Sequence, residues 1–382
     1  MESSRAREIQ PFIAMDILEK AYALERAGRD IVHLEIGEPD LDMPAVAREA
    51  AERALRNGWT HYTHSLGIWE LREEIAARYE SHYGINISPE RIIVTAGASG
   101  AFLLLFGVLF DPGSRVLLSD PGYPCYVNFA RFVGAEPVSV PVEADDGFAL
   151  TPDRMGRELE SDNVRGVVIS SPANPTGTVT PRETYEWLVN QAPILISDEI
   201  YHGLRYNGGR EFTALEIDDE AIVIDGVSKR YAMTGMRVGW MVVPDRLVRA
   251  VNKISQNLFI SVGSVSQHAA VAVLREGEPD VERMVGIYRE RHDYLVEALR
   301  QIGFKVEVVP QGAFYVFARM SHLHPDSYEF CLKMLEEAGV AATPGVDFGR
   351  HRTREYVRFA YTSSLDSIRD GVRRLKGWLH ES

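Results

Sequence analysis

The chain has 382 residues, of which 45% are hydrophobic and 25% charged, and its formal net charge is −14 at pH 7. These values are ordinary for a globular protein with more than one domain, and the acidic balance disfavours general nucleic-acid binding. The longest apolar stretch, residues 101–110, is much shorter than the roughly 20 residues of a membrane helix, and the N-terminus lacks the apolar core of a signal peptide. We therefore expect a cytoplasmic protein that binds neither membranes nor nucleic acids.

The first two thirds of the chain alternate between helical and apolar extended patterns. Residues 12–28 and 45–57 have helical periodicity, with a short strand predicted between them in the segment 31–37. Further on, continuous apolar runs bounded by Gly, Pro, Ser or Asp are separated by helical stretches, which favours a mainly parallel sheet covered on both faces. The predicted strands are residues 91–95, 115–120, 166–170, 194–199, 221–226 and 239–243.

The C-terminal part has a different pattern. A long amphipathic helix over about residues 280–302 precedes two predicted strands, 304–309 and 313–319. A helix near 328–338, a strand at 356–361 and a final helix follow. This mixture indicates a smaller α+β domain. The predicted division is 1–44 for an N-terminal segment that packs with the small domain, 45–280 for the large domain and 281–382 for the small domain.

Three polar side chains follow predicted buried strands. Asn174 comes after the strand GVVIS, Asp198 lies at the end of ILISDE, and Lys229 follows AIVIDG. Lysine and aspartate are rarely buried without a partner. Because ligands bind at the carboxyl ends of parallel strands, we expect these three residues to share one edge of the sheet.

The motifs around these residues resemble those of a known family. Asn174 begins NPTG, Asp198 begins D-x-x-Y, and Ser228-Lys229 is followed by Arg237 in the pattern S-K-x7-R. In this order and spacing they resemble the fold-type I pyridoxal-phosphate enzymes, specifically the class I/II aminotransferases, and the resemblance runs from Gly37 to Arg358. It implies an α/β fold in which a large domain with a mainly parallel seven-stranded sheet is joined to a smaller α+β domain.

The resemblance implies that the chain exchanges an amino group between an amino acid and a 2-oxo acid, with pyridoxal 5'-phosphate as cofactor. Lys229 would form a Schiff base with the cofactor aldehyde and later move a proton at the substrate α-carbon. Asp198 would pair with the protonated pyridine nitrogen and keep the ring an electron sink. Tyr201 and Asn174 would hydrogen-bond the phenolic oxygen of the ring.

The same resemblance assigns residues to the cofactor phosphate and ring. Ala98 and Ser99 open the apolar helix after the strand RIIV, where a helix N-terminus can bind an anion. Ser228 and Arg237 would complete the phosphate site, because an arginine can bind phosphate through two hydrogen bonds. Tyr123, in DPGYPCY, takes the place of the aromatic residue that stacks on the ring.

Two further positions concern the substrate and the oligomer. Arg358, in the strand YVRFAY, occupies the family position that binds the substrate α-carboxylate, and Gly37 and Asn174 would lie near that carboxylate. Tyr62 begins the pattern Y-x4-G-x3-L-R, which resembles the family element that reaches the phosphate of the neighbouring subunit. The resemblance therefore implies a homodimer with shared active sites.

The sequence also bears on functions other than transamination. A pyridoxal-phosphate-dependent lyase that acts on an amino acid would use the same cofactor site, and the sequence leaves that alternative open. A cofactor-binding regulator would need a DNA-binding module, for which this sequence has no room. A nucleotide-dependent enzyme would need a G-x-G-x-x-G segment after the first strand, which is absent. The eleven histidines and two cysteines lack metal-ligand spacing, so no metal site is expected.

The substrate side chain is the least constrained part of the sequence-based hypothesis. The helix after the phosphate loop, AFLLLFGVLF, has no basic residue that could bind a second carboxylate. The N-terminal segment PFIAMDI, which we expect to cover the pocket, is largely apolar. Both features favour amino donors with neutral or aromatic side chains.

Overall fold

The computed structural model describes residues 2–161, 163–206 and 208–381. Its α-helices are α1 Ser4–Glu8, α2 Ile13–Arg26, α3 Ala45–Arg56, α4 Trp69–Tyr83, α5 Gly97–Leu109, α6 Pro124–Val133, α7 Pro152–Leu159, α8 Arg182–Val189, α9 Asp245–Leu258, α10 Ser264–Glu276, α11 Glu278–Gln301, α12 Ser327–Lys333 and α13 Leu365–Glu381. Its strands are β1 Val32–His33, β2 Ile92–Thr95, β3 Arg115–Asp120, β4 Glu136–Pro141, β5 Val164–Ser170, β6 Leu195–Asp198, β7 Ile222–Gly226, β8 Gly239–Val242, β9 Tyr315–Arg319, β10 Val340–Ala341, β11 Thr343–Pro344 and β12 Tyr356–Ala360.

A seven-stranded sheet forms the centre of the large part of the molecule, in the order β2-β8-β7-β6-β5-β3-β4. All its neighbouring strands are parallel except at β8, which is antiparallel to both β2 and β7. The prediction of a mainly parallel sheet of seven strands is therefore confirmed.

Both faces of this sheet are buried, which explains why its strands are continuously apolar. On one face Ile224 and Met241 pack in a core with helices α5, α6 and α9. On the other face Val223 and Trp240 belong to a larger core that includes residues of α4, α10 and α11. No helix in the described part of the chain is both long and apolar enough to cross a membrane.

The C-terminal part contains a separate antiparallel sheet of three strands, in the order β11-β12-β9. The N-terminal segment contacts this part at several points, including strand β1 and the start of α2. Strand β1 pairs with β10 in parallel, and the side chain of Asp347 accepts hydrogen bonds from the backbone nitrogens of Ile13 and Ala14 at 2.8 and 3.2 Å. The domain boundaries at residues 44 and 280 stay predictions.

Several predicted elements differ from the structure in extent. The predicted strand 304–309 forms only one bridge, between Lys305 and Arg319. The predicted strand 31–37 is paired only at Val32–His33, because the backbone beyond it turns to line the cavity described below. Strand β4, at the edge of the sheet, was not predicted; it begins and ends near Pro137 and Pro141, and proline weakens a strand pattern.

The topology brings the predicted site residues to one edge of the large sheet. Ser170, at the end of β5, is in register with Asp198 at the end of β6, which is in register with Ile224 of β7. The loops that follow these strands therefore emerge side by side. Gly239 of β8 is needed at this edge, because a Cβ atom there would lie 2.7 Å from the backbone of Gly97 at the start of α5.

Candidate active site

A cavity of about 330 Å³ lies at this edge, between the sheet, the N-terminal segment and the C-terminal part. It brings together all the site residues predicted from the sequence except Tyr62. Those that line it are Gly37, Ala98, Ser99, Tyr123, Asn174, Asp198, Tyr201, Ser228, Lys229, Arg237 and Arg358.

Lys229 presents its amine to the cavity from the loop after β7. Its Nζ donates a hydrogen bond to the backbone carbonyl of Gly37 at 2.6 Å. Burial lowers the pKa of this lysine to about 8, since it disfavours the charged form. The negative charge of Glu38 opposes this shift, whereas Arg358 and Arg237 lower the pKa further. The amine is consequently neutral in a larger fraction of molecules at neutral pH than an exposed lysine would be.

Asp198 is a fully buried carboxylate at the end of β6. Burial raises its pKa to about 6, although hydrogen bonds from Tyr126 and from the backbone of Ile200 and the charge of Lys229 act in the opposite direction. The hydroxyl of Tyr126 donates to Oδ2, and the nitrogen of Ile200 donates to Oδ1 at 3.1 Å. A carboxylate held in this way is well placed to accept a hydrogen bond from a cationic N–H group in the cavity.

The start of α5 provides the second polar end of the cavity. No side chain caps the first turn of this helix, so the backbone N–H groups at Ala98 and Ser99 can donate hydrogen bonds to an anion. Arg237 lies beside them in the left-handed backbone conformation, with φ of 52°. A Cβ atom at Gly97 would lie 2.4 Å from Nη2 of Arg237, so the glycine leaves the space that the guanidinium occupies.

Arg358 is almost completely buried on β12, with 1% of its surface exposed. Its Nη1 donates to Oδ1 of Asn174 at 3.0 Å, and its Nη2 donates to the hydroxyl of Thr343 at 3.1 Å and to the carbonyl of Glu35 at 2.5 Å. Its Nε is buried and has no hydrogen-bond partner among the described residues. A buried, unsatisfied N–H of a guanidinium is costly, and a carboxylate would satisfy it.

Aromatic side chains surround these polar groups. The hydroxyl groups of Tyr201 and Tyr315 are 2.7 Å apart, and the ring of Tyr315 lies 4.4 Å from the guanidinium of Arg358. The ring of Phe348 lies 4.8 Å from the same guanidinium. Tyr123 is edge-on to the ring of Tyr126 and lines the cavity.

Tyr126, Tyr315 and Phe348 are site residues that the sequence analysis missed. Tyr126 lies in the first turn of α6, three positions after Tyr123, the residue that precedes this helix; this spacing brings the two side chains close together and is a signal that could have been used. Tyr315 and Phe348 reach the site through tertiary contacts, so the sequence contained no local pattern that would indicate them.

Tyr62 is 81% exposed and does not line the cavity of its own chain. It belongs to a loop that contacts the segment after α9, where the nitrogen of Thr63 donates to the hydroxyl of Ser261 at 3.3 Å. We call the exposed apolar side chains of this region the Tyr62 surface. Its members are Leu55, Trp59, Tyr62, Trp69, Leu258 and Ile260, each at least 47% exposed.

The model of the aminotransferase class I and II family matches residues 29–375. The chain belongs to this family. Two curated relatives are the (5-formylfuran-3-yl)methyl phosphate transaminase of Methanocaldococcus jannaschii, 39% identical over 100% of both chains, and the valine–pyruvate aminotransferase of Mycobacterium tuberculosis, 39% identical over 97% of both. A crystal structure of an aminotransferase from Mycobacterium tuberculosis matches with a TM-score of 0.95 and 38% identity over 100% of both chains. The chain is therefore a pyridoxal-phosphate-dependent aminotransferase of fold-type I.

The side chains of the cavity fit pyridoxal phosphate. The buried carboxylate of Asp198 matches a protonated ring nitrogen, since its two hydrogen-bond donors, the hydroxyl of Tyr126 and the backbone nitrogen of Ile200, are neutral groups. The uncapped start of α5 and the guanidinium of Arg237 match a phosphate group. Lys229 and Arg358 line the same cavity as these groups.

Proposed function

We propose that Lys229, Asp198 and Tyr201 are the catalytic residues with which this aminotransferase exchanges an amino group between an amino acid and a 2-oxo acid. The observation that carries this proposal is the convergence, in one cavity, of a lysine with a lowered pKa, a buried carboxylate and an arginine with an unsatisfied Nε. The lysine would act as the amine nucleophile, the carboxylate would pair with a cationic ring nitrogen, and the arginine would bind a substrate carboxylate.

Bound pyridoxal phosphate would supply an electron sink for the charge left at the substrate α-carbon when its proton is removed. Asp198 would hold the proton on the pyridine nitrogen. Asn174 must turn its carbonyl oxygen toward Arg358, because a guanidinium can only donate, and its NH₂ group would then be free, together with the hydroxyl of Tyr201, to donate to the phenolic oxygen of the bound cofactor. The residues proposed to hold the phosphate and ring face are Ala98, Ser99, Tyr123, Ser228 and Arg237.

Lys229 would remove the proton from the substrate α-carbon and return one during the exchange. The neutral amine is the form that can accept a proton, so a pKa lowered by burial makes this form available near neutral pH. Arg358 would bind the substrate carboxylate and orient the α-carbon toward that amine. Gly37 packs closely here, since a Cβ atom at this position would lie 2.2 Å from the hydroxyl of Tyr315.

We propose that the active protein is a homodimer and that Tyr62 completes the phosphate site of the partner subunit. The Tyr62 surface supports this proposal, because its large apolar side chains are exposed and exposed apolar surface is a feature of protein interfaces. Tyr62 itself cannot serve its own cavity, which it does not line.

We further propose that the amino donor has an apolar or aromatic side chain. The wall of the cavity formed by α2 and its preceding residue consists of Phe12, Ala14, Met15 and Leu18. Glu38 lies at the same cavity and would repel a second carboxylate. The two relatives differ in the substrate after which they are named, and the valine–pyruvate aminotransferase is the one whose substrate suits such a wall.

A half-reaction screen of the cofactor-loaded protein tests these proposals. L-valine, L-leucine and L-phenylalanine should each change the cofactor spectrum faster than L-aspartate does, and should yield the matching 2-oxo acid without ammonia.

A cavity-lining cation, introduced by Met15→Arg, should improve the use of L-aspartate. The matched control is Ala23→Arg, which adds the same charge at an exposed position two turns further along α2. If L-aspartate reacted best and Met15→Arg changed nothing, the apolar wall would not determine the donor; if no amino acid reacted, the proposed catalytic roles would be wrong.

A further inference from the structure

We propose that Tyr315 is a positioning residue with two separable roles in this active site. Its hydroxyl donates a hydrogen bond that strengthens Tyr201 as a donor, and its ring supports the guanidinium of Arg358. The first role rests on the proposed position of the cofactor phenolic oxygen beside Tyr201.

The direction of the hydrogen bond between the two tyrosines follows from counting protons. Their hydroxyl groups are 2.7 Å apart, and both side chains are buried. Burial raises the pKa of both phenols, so each keeps its single proton at neutral pH. If Tyr201 gives its proton to the phenolic oxygen of the cofactor, only Tyr315 is left to donate within the pair.

A hydroxyl that accepts a hydrogen bond becomes a better donor, because hydrogen bonds in a chain polarise one another. Tyr315 would thus help Tyr201 to stabilise negative charge on the phenolic oxygen. The titratable and charged groups that face this pair are Arg358, Tyr123 and Tyr361. Of these, Arg358 carries a positive charge, which also favours an anionic oxygen nearby.

The second role concerns the ring. The guanidinium of Arg358 lies over the rings of both Tyr315 and Phe348, at 4.4 and 4.8 Å from the two ring centroids. The two cation–π contacts help to hold the guanidinium in place while its N–H groups form hydrogen bonds. The hydroxyl of Tyr315 is also packed against Gly37, where a Cβ atom would lie 2.2 Å away. A single side chain thus contacts Tyr201, Arg358 and the Gly37 segment.

Two substitutions separate the roles. Tyr315→Phe keeps the ring and removes the hydroxyl. We expect it to raise the pH midpoint at which the bound cofactor changes its absorbance, by about 0.2 to 0.7 units, since a chain of hydrogen bonds strengthens each member by roughly 10–30%. It should leave the dissociation constant of a carboxylate ligand nearly unchanged; the probe is 3-phenylpropanoate or maleate, whichever binds the unaltered enzyme. Tyr315→Leu should raise the midpoint and also weaken carboxylate binding by about 3- to 30-fold.

Three controls make the result decisive. Tyr361→Phe removes another buried hydroxyl, one that donates to the carbonyl of Ala313 at 3.3 Å outside the cavity, and should not move the midpoint. Phe348→Leu should weaken carboxylate binding without moving the midpoint. Tyr201→Phe should move it more than Tyr315→Phe does. If the midpoint is unchanged in Tyr315→Phe but raised in Tyr201→Phe, Tyr315 does not strengthen Tyr201 as a donor, while the proposed position of the cofactor beside Tyr201 stands. If the midpoint is unchanged in both variants, the role of Tyr315 and the proposed position of the cofactor are both wrong.

Discussion

The amine of Lys229 donates a hydrogen bond of 2.6 Å to the backbone carbonyl of Gly37, which lies 192 residues earlier in the chain. The two carbonyls before it are also occupied. That of Ile36 accepts from the hydroxyl of Thr362 at 2.7 Å, and that of Glu35 accepts from Arg358. One short backbone segment therefore contacts both the proposed reactive amine and the proposed carboxylate-binding guanidinium.

The lowered pKa of Lys229 predicts how cofactor capture by the cofactor-free protein depends on pH. The neutral amine is the nucleophile, and burial lowers the lysine pKa to about 8. The capture rate should therefore rise with pH and level off above about pH 8, whereas the rate for an ordinary lysine would continue to rise up to a pH of about 10.4. Stopped-flow absorbance measures this rate, with N-acetyl-lysine as the reference amine. A rate that still rose tenfold per pH unit above pH 9 would show that the amine is not desolvated.

Replacing Asp198 by asparagine should slow α-proton removal by roughly a hundredfold or more and weaken cofactor binding, because the charge that keeps the ring nitrogen protonated is lost. Single-turnover kinetics with a deuterated amino acid isolate this step. Asp225→Asn is the matched control, since it removes a buried carboxylate from the neighbouring strand that does not line the cavity. Equal effects of the two substitutions would contradict the proposed role of Asp198.

Arg358→Lys should raise the KM for both the amino acid and the 2-oxo acid by about a hundredfold, because charge-assisted hydrogen bonds contribute roughly 1.5–3 kcal/mol each and lysine cannot form the planar pair. The cofactor spectrum and phosphate affinity should stay near normal, since other residues are proposed to bind the phosphate. An amine without a carboxylate should react equally slowly with both proteins. Unchanged amino-acid kinetics would mean that the carboxylate binds elsewhere.

Mixing two inactive variants tests whether active sites are shared. A heterodimer of Lys229→Ala and Tyr62→Ala chains has one site with both changes and one with neither, if Tyr62 serves the partner. The mixture should then recover activity that neither parent has. Sedimentation run in parallel shows whether the active species is a dimer. A fully active monomer, or a mixture no more active than its parents, would rule out the sharing.

The grouping of three proposed site residues could be predicted because they follow buried strands that the sequence defines well. Asn174, Asp198 and Lys229 each come after a continuous apolar run, and parallel pairing brings the ends of such runs together. The short motifs around them then restrict the chemistry. For these residues, the strands predicted from local sequence are the ones that pair in the structure.

The place of Tyr315 in the site could not be predicted from the sequence. It lies 114 residues from Tyr201, on a strand of the other sheet, and only the packing of the two parts brings the hydroxyl groups together. The segment 304–309 failed as a strand prediction for a related reason: its alternating pattern suits pairing, but it pairs with β9 only at Lys305. Pairing depends on which neighbours are present as well as on the pattern itself.

Reduction with borohydride followed by peptide mapping tests most directly whether Lys229 binds the cofactor covalently. The cofactor-loaded protein should carry the reduced label on Lys229, and Lys229→Ala should carry none while its circular dichroism spectrum remains that of the folded protein. Lys253→Ala, which removes an exposed lysine of α9, should be labelled as fully as the unaltered protein. A label on any other lysine, or a Lys229→Ala protein that still exchanges amino groups at a normal rate, would contradict the account.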